Sequence, residues 1–362
     1  FYGCGQLESV RIPDSLTSIG ELAFSLCNNI IVIYNDSNFN ITCGSAENGR
    51  IAQYAKVVVN KDSSVTYASD GYLLTEDKFL FSENNGEYTL TAYIGDEATI
   101  TLPLNVNGLE YSISLTSERV KNIIIPNGIT SIRNGAFSSC RRLTSIVIPD
   151  SVTSIGWDVF DNTAYYNNSN NWDNGALYIG KHLIKVGNDV ERFVARNDTI
   201  CIVNDAFEEC YKLRHIEVGG GYYEIFRKDY TSNLETLVIT DLPRDFNVYN
   251  YFGTSNIPLT LKTVILKSGV DVSNPHLFDY ITGVTIYVED AKIDCPWDHG
   301  CPGWNNGNKV FYGDEWARVK FSSDGEVIAD GAYRMGQVIR PPYIADVKNE
   351  DTNRIFVGWD FD

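Results

Sequence analysis

A glycine-rich stretch at residues 175–182 has the spacing that nucleotide-binding proteins use to hold phosphate. The segment reads GALYIGKH and follows the pattern GxxxxGK up to its last position. A phosphate loop next needs Ser or Thr to reach magnesium, and this chain has His182 there instead. The apolar Leu-Tyr-Ile interior is also typical of a strand, so the segment does not predict a nucleotide site.

A second group of reactive side chains lies near the C-terminus, where Cys295, His299 and Cys301 are close in sequence. Asp294 or Asp298 would complete four metal ligands. The spacing CxxxxxC is not a usual zinc pattern, and a disulfide or two free thiols would explain the cysteines without a metal. We therefore assign no metal ligand.

Enzyme motifs are scarce in the rest of the chain. Neither GxSxG nor HExxH occurs, and the four histidines stand at positions 182, 215, 276 and 299. A catalytic nucleophile needs a base within hydrogen-bonding distance, and no spacing in the sequence indicates such a pair. The interpretation is a protein that is not an enzyme, with no catalytic residue and no cofactor.

An aromatic group lies in residues 161–175, which combine Asn and Asp side chains with Tyr165, Tyr166 and Trp172. Aromatic rings with polar edges suit sugar binding, and Asp and Asn oxygens suit calcium. A solvated insertion accounts for the same composition. Tyr165, Tyr166 and Trp172 are the candidate glycan-binding residues.

The overall composition limits what elements can position these groups. Of 362 residues, 43% are hydrophobic and 21% are charged, which is typical of a folded soluble chain. The 47 acidic residues outnumber the 29 basic ones and give a formal charge of −18, which opposes binding to nucleic acid and to anionic lipid. No stretch approaches the roughly 20 apolar residues of a membrane helix, so we expect no membrane insertion in this segment.

A 23-residue pattern is written twice in succession in residues 118–160. A fixed period of this length indicates a solenoid, in which each coil buries its apolar side chains against the next. Each strand places alternate side chains on one face and ends at a proline, which cannot donate to the ladder. The recurring positions are Val120 and Leu143, Ile123 and Ile146, Ile125 and Ile148, Pro126 and Pro149, Ile132 and Ile155, Ala136 and Val159, and Phe137 and Phe160.

These residues resemble the BspA-type leucine-rich repeats, whose pattern is roughly CxxLxxIxIPxSVTSIGxxAF. The same phrase stands at the N-terminus from Cys4 to Phe24, and the repeat resumes at 198–218. The resemblance implies a leucine-rich-repeat solenoid, a curved right-handed superhelix that is rich in β-structure. It also implies an extracellular, secreted bacterial protein at the cell surface that adheres to host matrix or cell-surface proteins.

The last residues resemble a different family, the Listeria–Bacteroides repeat, which is a small β-grasp-like module of bacterial surface proteins. This resemblance also implies a cell-surface protein. The matching positions are Val319, Phe321, Gly325, Gly336, Pro341, Phe356, Gly358 and Trp359.

Changes of pattern divide the chain into four segments. Because FYGC begins inside a repeat, we expect the N-terminus of the protein and any signal sequence to lie upstream. The composition of residues 43–56 predicts a short capping helix with Ala46, Ile51, Ala52 and Ala55 on its apolar face. The segments are a repeat block with this cap at 1–60, a β-hairpin adaptor at 61–117, a second repeat block with an insertion at 161–197 and a C-terminal cap at 118–315, and the β-grasp-like module at 316–362.

Four of the eight cysteines, Cys4, Cys27, Cys140 and Cys210, follow a repeat phenylalanine by three residues. This position at the turn of a coil suits a small buried side chain. We therefore expect these four thiols to stay reduced, and Cys295 with Cys301 is the pair that could form a disulfide.

Partner-binding residues follow from strand alternation, since the residue between two inward positions projects outward. An exposed apolar stripe marks a binding surface, whereas β-branched residues suit any pleated surface. We interpret the stripe as the site for a host matrix or cell-surface protein; the alternatives are glycan recognition by residues 161–175 and a solenoid that only spaces another domain from the cell wall. The outward residues are Arg11, Tyr34, Ile124, Val147, Glu217, Val238, Ile265 and Thr285, with His215 beside Glu217.

Overall fold

The structure is a computed structural model that describes most of the chain. The chain divides into two compact units, Phe1–Lys185 with Ile200–Asp205, and Val186–Thr199 with Ala206–Asp362. Described in full are residues 1–68, 71–117, 119–220, 233–242, 251, 258–270, 277–278, 281–290 and 307–313, and 316–323 and 326–334 are described as backbone.

The elements are short strands that recur along the chain, with few helical turns. Helical turns are α1 (Glu47–Arg50) and a 3₁₀ turn (Ser169–Asn171). The strands are β1 (Ser9–Ile12), β2 (Val32–Asn35), β3 (Val57–Asn60), β4 (Val65–Tyr67), β5 (Tyr72–Leu74), β6 (Phe79–Asn84), β7 (Glu87–Tyr93), β8 (Thr99–Thr101), β9 (Tyr111–Thr116), β10 (Asn122–Ile124), β11 (Ser131–Ile132), β12 (Ser145–Val147), β13 (Ser154–Ile155), β14 (Trp172–Asp173), β15 (Ala176–Ile179), β16 (His182–Val186), β17 (Arg192–Val194), β18 (Cys201–Ile202), β19 (His215–Val218), β20 (Thr236–Ile239), β21 (Thr263–Leu266), β22 (Thr285–Val288), β23 (Lys309–Tyr312), β24 (Trp316–Ser323) and β25 (Glu326–Arg334).

Stacked parallel strands begin the first unit. β1, β2 and β3 pair in register, so that Val10, Ile33 and Val58 stand side by side, and antiparallel β4 closes the edge of β3. Ile33 and Val58 are fully buried and share one core with Phe24 and Ile51. Each coil therefore completes the core of its neighbour, which is the stacking that a short repeat requires.

The adaptor residues form a four-stranded sheet over the outer face of these strands. β5, β6 and β7 are antiparallel neighbours, and β9 pairs in parallel with β7. Leu80, Ala92 and Ile94 pack in one cluster with Val32 and Val57, which point away from the core residues that follow them in β2 and β3. The adaptor thus buries the outer sheet face of the first repeats.

The second group of repeats in this unit follows the predicted register. β8, β10 and β12 are parallel, with Ile100, Ile123 and Ile146 in line, and β11 pairs with β13 on another side of the coil. Phe137 and Phe160 are 0% and 1% exposed. Their rings stack at 5.8 Å between centroids, which confirms that the repeat phenylalanines line one wall of the core.

The insertion contributes a further sheet, in which β14, β15, β16 and β18 are successive neighbours. The glycine-rich segment at 175–182 supplies β15, a turn at Gly180 with φ of 59°, and the start of β16. All of β15 is buried. The segment is therefore a pair of strands, as its apolar interior predicts, and not a loop that leads into a helix.

The second unit is built on a six-stranded parallel sheet in the order β17, β19, β20, β21, β22, β23. β20, β21 and β22 align Leu237, Val264 and Ile286, and all three side chains are buried. The predicted outward residue of β22, Thr285, is two positions early, because Tyr287 is the residue in register with Ile265. The backbone of β24 and β25 forms an antiparallel hairpin. Among the described residues, no helix has the length and apolar character that crossing a bilayer requires.

The predicted helix at 43–56 is largely wrong. Helical geometry is limited to Glu47–Arg50 and is interrupted by left-handed backbone at Gly49, where φ is 68°. Gly49 lies against a neighbouring coil: its carbonyl accepts from the Phe24 N–H at 2.9 Å, and a Cβ at Gly49 would lie 2.4 Å from the carbonyl oxygen of Gly20. This close approach favours a coil turn over a helix. Of the predicted apolar face, Ile51, Ala52 and Ala55 are buried and Ala46 is exposed.

Three repeat cysteines, Cys27, Cys140 and Cys210, are buried at coil turns as predicted. Each thiol donates to a backbone carbonyl 24 to 26 residues earlier in the chain, with distances from Sγ of 3.0 Å to Phe1 O, 3.3 Å to Leu115 O and 3.5 Å to Val186 O. The sulfur thus both fills space and satisfies a carbonyl, a role that the sequence did not indicate.

Cys4 departs from this prediction because it is exposed. None of the six described cysteines forms a disulfide. The cap at 290–304 with Cys295, His299 and Cys301 lies outside the described residues, apart from Asp290.

Candidate partner-binding face

The open face of the first unit is built on β8, β10 and β12. Since these strands are parallel and in register, Thr101, Ile124 and Val147 stand side by side, each following an inward isoleucine. Ile124 is 39% exposed and Val147 is 54% exposed, as strand alternation predicts. Thr101, Ile124 and Val147 are called the open row below.

Polar and apolar residues border the open row on its two sides. The Asn122 side-chain amide donates to the Thr99 hydroxyl at 2.8 Å, which fixes two polar side chains along one border. On the other border Leu104 is 51% exposed and lies over Gly128, where an added Cβ would be 2.8 Å from Leu104 Cδ1. The face therefore has an apolar centre with a partly polar margin, as binding interfaces do.

A groove of about 390 Å³ lies beside the open row, between β8 and the adaptor. The rings of Phe79 and Tyr93 are 5.1 Å apart and line this groove together with Asp77. The Tyr93 hydroxyl donates to the Glu97 carboxylate. Burial, and then this bond, raise the pKa of Tyr93, while the same bond lowers the pKa of Glu97. At neutral pH the groove therefore carries the neutral phenol of Tyr93, bonded to the negative carboxylate of Glu97.

The corresponding row of the first repeats is not open. Tyr34 donates its hydroxyl to the carbonyl of Ile94 in the adaptor, and burial raises the pKa of the phenol. Arg11 lies at the margin, with its guanidinium 4.7 Å from the Tyr34 ring and 2.6 Å from the Asp36 carboxylate. Arg11 is thus exposed, as predicted, but it is separated from a continuous apolar stripe.

The predicted exposure of Val238 and Ile265 is wrong. Both lie on the outward face of the second unit's sheet, yet they are 0% and 1% exposed. They form a separate apolar cluster with Tyr287, against which Phe311 packs, and the two aromatic rings stack at 5.5 Å. Large aromatic residues on β22 and β23, in register with Val238 and Ile265, allow this row to close into a second core.

The polar residues assigned to this stripe are also mostly enclosed. His215 is 9% exposed, and the Glu217 side chain, 15% exposed, pairs with Arg192 at 3.8 Å. Both therefore belong to the covered part of the sheet rather than to an accessible binding surface. Thr285 is partly buried at the start of β22.

The three candidate glycan-binding residues lie together in a compact turn. The Trp172 ring meets the Tyr166 ring edge to face at 5.8 Å, and its indole N–H donates to the Tyr166 carbonyl at 3.0 Å. The Tyr165 hydroxyl donates to the Tyr178 carbonyl at 3.0 Å. These polar groups hold the turn together, so the rings remain partly exposed but do not form a flat platform.

Sequence reasoning missed Thr101 and the neighbouring groove because β8 was assigned to the adaptor. A signal was present: Ile100, Leu102 and Pro103 stand 23 residues before Ile123, Ile125 and Pro126. This continues the repeat by one coil toward the N-terminus. The remaining groove residues, from β6 and β7, have no sequence signal of this kind.

Comparison with known proteins agrees with the repeat register. A sequence-family model described as "BspA type Leucine rich repeat region" matches in six copies over residues 1–48 and 110–235. Together with the stacked parallel coils, this match shows a leucine-rich-repeat solenoid fold. No curated protein matches the chain.

Three solved structures show low overall similarity. The leucine-rich repeat protein of T. pallidum is 16% identical, with 60% of this chain and 77% of that chain covered and a TM-score of 0.22. The pneumococcal vaccine antigen PcpA is 15% identical, with coverage of 85% and 68% and a TM-score of 0.21. A leucine-rich cell surface protein from Faecalibacterium prausnitzii A2-165 is 15% identical, with coverage of 66% and 98% and a TM-score of 0.21.

Proposed function

We propose that this chain is a binding part of an extracellular bacterial surface protein and that its open row contacts a host matrix or cell-surface protein. One observation carries the proposal: the outer row is covered in the first repeats and in the second unit, but Ile124 and Val147 remain exposed. Exposed, contiguous apolar residues on a sheet favour a protein partner. The resemblance to BspA-type repeats supports the same class of function.

The chemistry of the open row suits a partner with an apolar patch. Ile124 and Val147 are β-branched and have few rotamers to lose on binding, so burying them costs little conformational entropy. The strands beneath are held by buried isoleucines, which keeps the row rigid. Thr99 and Asn122 would lie at the polar margin of the interface.

The test is the double substitution Ile124→Lys and Val147→Lys, with binding measured to proteins retained from host matrix and mucosal extracts. Placing two charges in an apolar contact should weaken Kd about tenfold or more. The melting temperature should change little because both side chains already face solvent.

A matched control is Leu16→Lys with Leu22→Lys, since these leucines are 38% and 47% exposed and lie outside the strands of the open face. The control should retain full affinity. If the open-row variant binds as tightly as wild type, the open row is not the site, and the turn with Tyr166 and Trp172 becomes the next candidate. Deletion of residues 161–175 followed by glycan-array binding then tests that alternative.

The proposal extends to residues 316–362 as a module similar to the Listeria–Bacteroides repeat. The antiparallel hairpin of β24 and β25 supports a β-rich segment at this end. An experimental structure of the full chain tests the assignment, and a C-terminal segment without a β-grasp-like arrangement would contradict it.

A further inference from the structure

β8 is the end strand of its sheet, which runs in the order β12, β10, β8. The Asn122 N–H donates to Ala98 O, and the Leu102 N–H donates to Ile124 O, both at 2.9 Å. Because backbone groups alternate sides along a strand, the N–H and C=O groups of Thr99 and Thr101 point away from β10. Within the described part of the chain, no backbone hydrogen bond occupies these groups.

This edge differs from the end of the first repeat sheet. There, antiparallel β4 pairs with β3 and closes the ladder. β8 reads Thr-Ile-Thr and contains no lysine or proline, and its pairing with β10 has no bulge. Although β8 is short, it therefore lacks the lysine, proline and bulge by which many proteins protect an exposed edge.

The groove described above lies directly along this edge, since Thr99, Ile100 and Thr101 line it. On its far side stand Phe79, Tyr93 and the carboxylate of Asp77, with Glu97 held at Tyr93. Basic residues nearby are Lys78, which precedes Phe79 in sequence, Arg119, which pairs with Asp96 at 2.6 Å, and Lys121, whose N–H donates to Ala98 O at 2.8 Å. With a formal charge of −18 on the chain, the surroundings favour a positively charged ligand.

We propose that the groove binds an extended basic peptide segment of the protein partner as an added strand on β8. The backbone of the segment would pair with Thr99 and Thr101, as in other cases of strand addition. One β-branched side chain would extend the open row beyond Thr101, and a lysine or arginine would meet Asp77. This inference rests on the proposed protein-binding function. It specifies that the partner contacts the edge of β8, in an extended backbone conformation and with positively charged side chains.

The probe is a fluorescent, acetylated and amidated peptide, Lys-Val-Thr-Val-Thr-Lys, titrated into the full chain by fluorescence polarisation. Two variants of this peptide separate the contribution of charge to binding from that of strand pairing. In one, both lysines are replaced by glutamate. In the other, the nitrogens of both valines and both threonines are methylated, which removes the backbone donors toward β8 in either strand direction without changing the charge. Each variant should bind at least about tenfold more weakly than the probe.

Thr101→Pro tests the edge from the protein side. Its N–H faces the groove and is not used toward β10, so proline removes a donor and places a ring on the edge while the β8 to β10 bonds remain. Thr101→Val is the matched control, since it keeps the N–H. We expect Thr101→Pro to bind the probe about tenfold more weakly than Thr101→Val does, and Asp77→Asn to weaken the basic probe but not the glutamate peptide.

Circular dichroism and the melting temperature show whether Thr101→Pro is folded. If it is not, the methylated peptide on the unmodified chain decides. Equal binding of the methylated peptide, or full affinity in folded Thr101→Pro, would overturn strand addition. If no peptide binds but partner binding still depends on Ile124 and Val147, strand addition fails and the proposed function stands. If the peptide adds to β8 while the open-row variant binds its partner as tightly as wild type, the proposed role of the open row is rejected instead.

Discussion

At the turn before a repeat cysteine, a single residue takes a left-handed backbone conformation. Leu26 and Glu209, which directly precede Cys27 and Cys210, have φ of 64°. Asn162 occupies the same place after Phe160, with φ of 62°. Asn tolerates this region, but other L-residues pay about 1–2 kcal/mol for it. The left-handed conformation therefore destabilises the fold at Leu26 and Glu209, and a substitution at such a position can relieve the backbone strain.

Glu209→Asn should raise the free energy of unfolding by about 0.5–1 kcal/mol, because Asn is less strained than Glu at positive φ. Glu209 is exposed, so the change removes little packing. Urea unfolding followed by circular dichroism measures the effect. Ser139 holds the same place before Cys140 without positive φ, and Ser139→Asn is the control that should bring no gain. Equal effects at both positions would show that backbone strain is not the cause.

At the scale of the element, one coil is held by the stacking of its phenylalanine on the next. Phe137→Ala and Phe160→Ala should each lower the free energy of unfolding by about 3–5 kcal/mol, since a fully buried ring leaves a cavity. Denaturant unfolding of each variant provides the measurement.

Phe1→Ala is the comparison for this pair. Phe1 takes the same repeat position and stacks on Phe24 at 5.2 Å, but it is 73% exposed. Its loss should cost less than about 1 kcal/mol, as for most surface changes. Losses below about 1 kcal/mol at both Phe137 and Phe160 would contradict the repeat register.

The inward face of each coil could be predicted because its burial depends on neighbours of the same type, 23 residues away. Residues equivalent to Leu143, Ile155 and Phe160 fill the core in each coil, so the period alone determines that these side chains point inward. The same reasoning located β19, β20 and β21 although their spacing varies, but it placed the outward residue of β22 at Thr285 instead of Tyr287. It failed at Gly49, where a close contact between coils favours a turn in a segment whose composition suits a helix.

The outward face could not be predicted by the same reasoning. Val32 and Val238 both alternate with core residues, as Val147 does, but what covers them lies far along the chain. The adaptor covers Val32, and Tyr287 with Phe311 joins Val238 in a cluster. Exposure of an outer row therefore depends on non-local packing, and a single sequence offers no period from which to read it.

At the scale of the whole chain, buried cysteines lie in the core of several coils. Their reactivity toward an alkylating reagent therefore shows whether the core is intact. Cys27, Cys140, Cys201 and Cys210 are buried, Cys43 is partly buried and Cys4 is exposed. Cys201 lies opposite His182 in the β16 to β18 ladder. Burial raises the pKa of the Cys201 thiol to about 11 and also raises the pKa of Cys43. Since the thiolate is the reactive form, a raised pKa and burial both slow alkylation.

Among the six described cysteines, native alkylation with iodoacetamide should therefore modify Cys4 first and Cys43 more slowly, while Cys201 and the buried repeat cysteines stay unmodified. Peptide mass mapping over time resolves each site, and the same reaction in guanidinium chloride is the control in which all sites should react alike. Raising the pH from 7 to 9 should leave Cys201 protected, because its thiol remains protonated below a pKa of about 11. Labelling of Cys201 or Cys140 as fast as Cys4, or a disulfide between two repeat cysteines, would contradict the closed solenoid core.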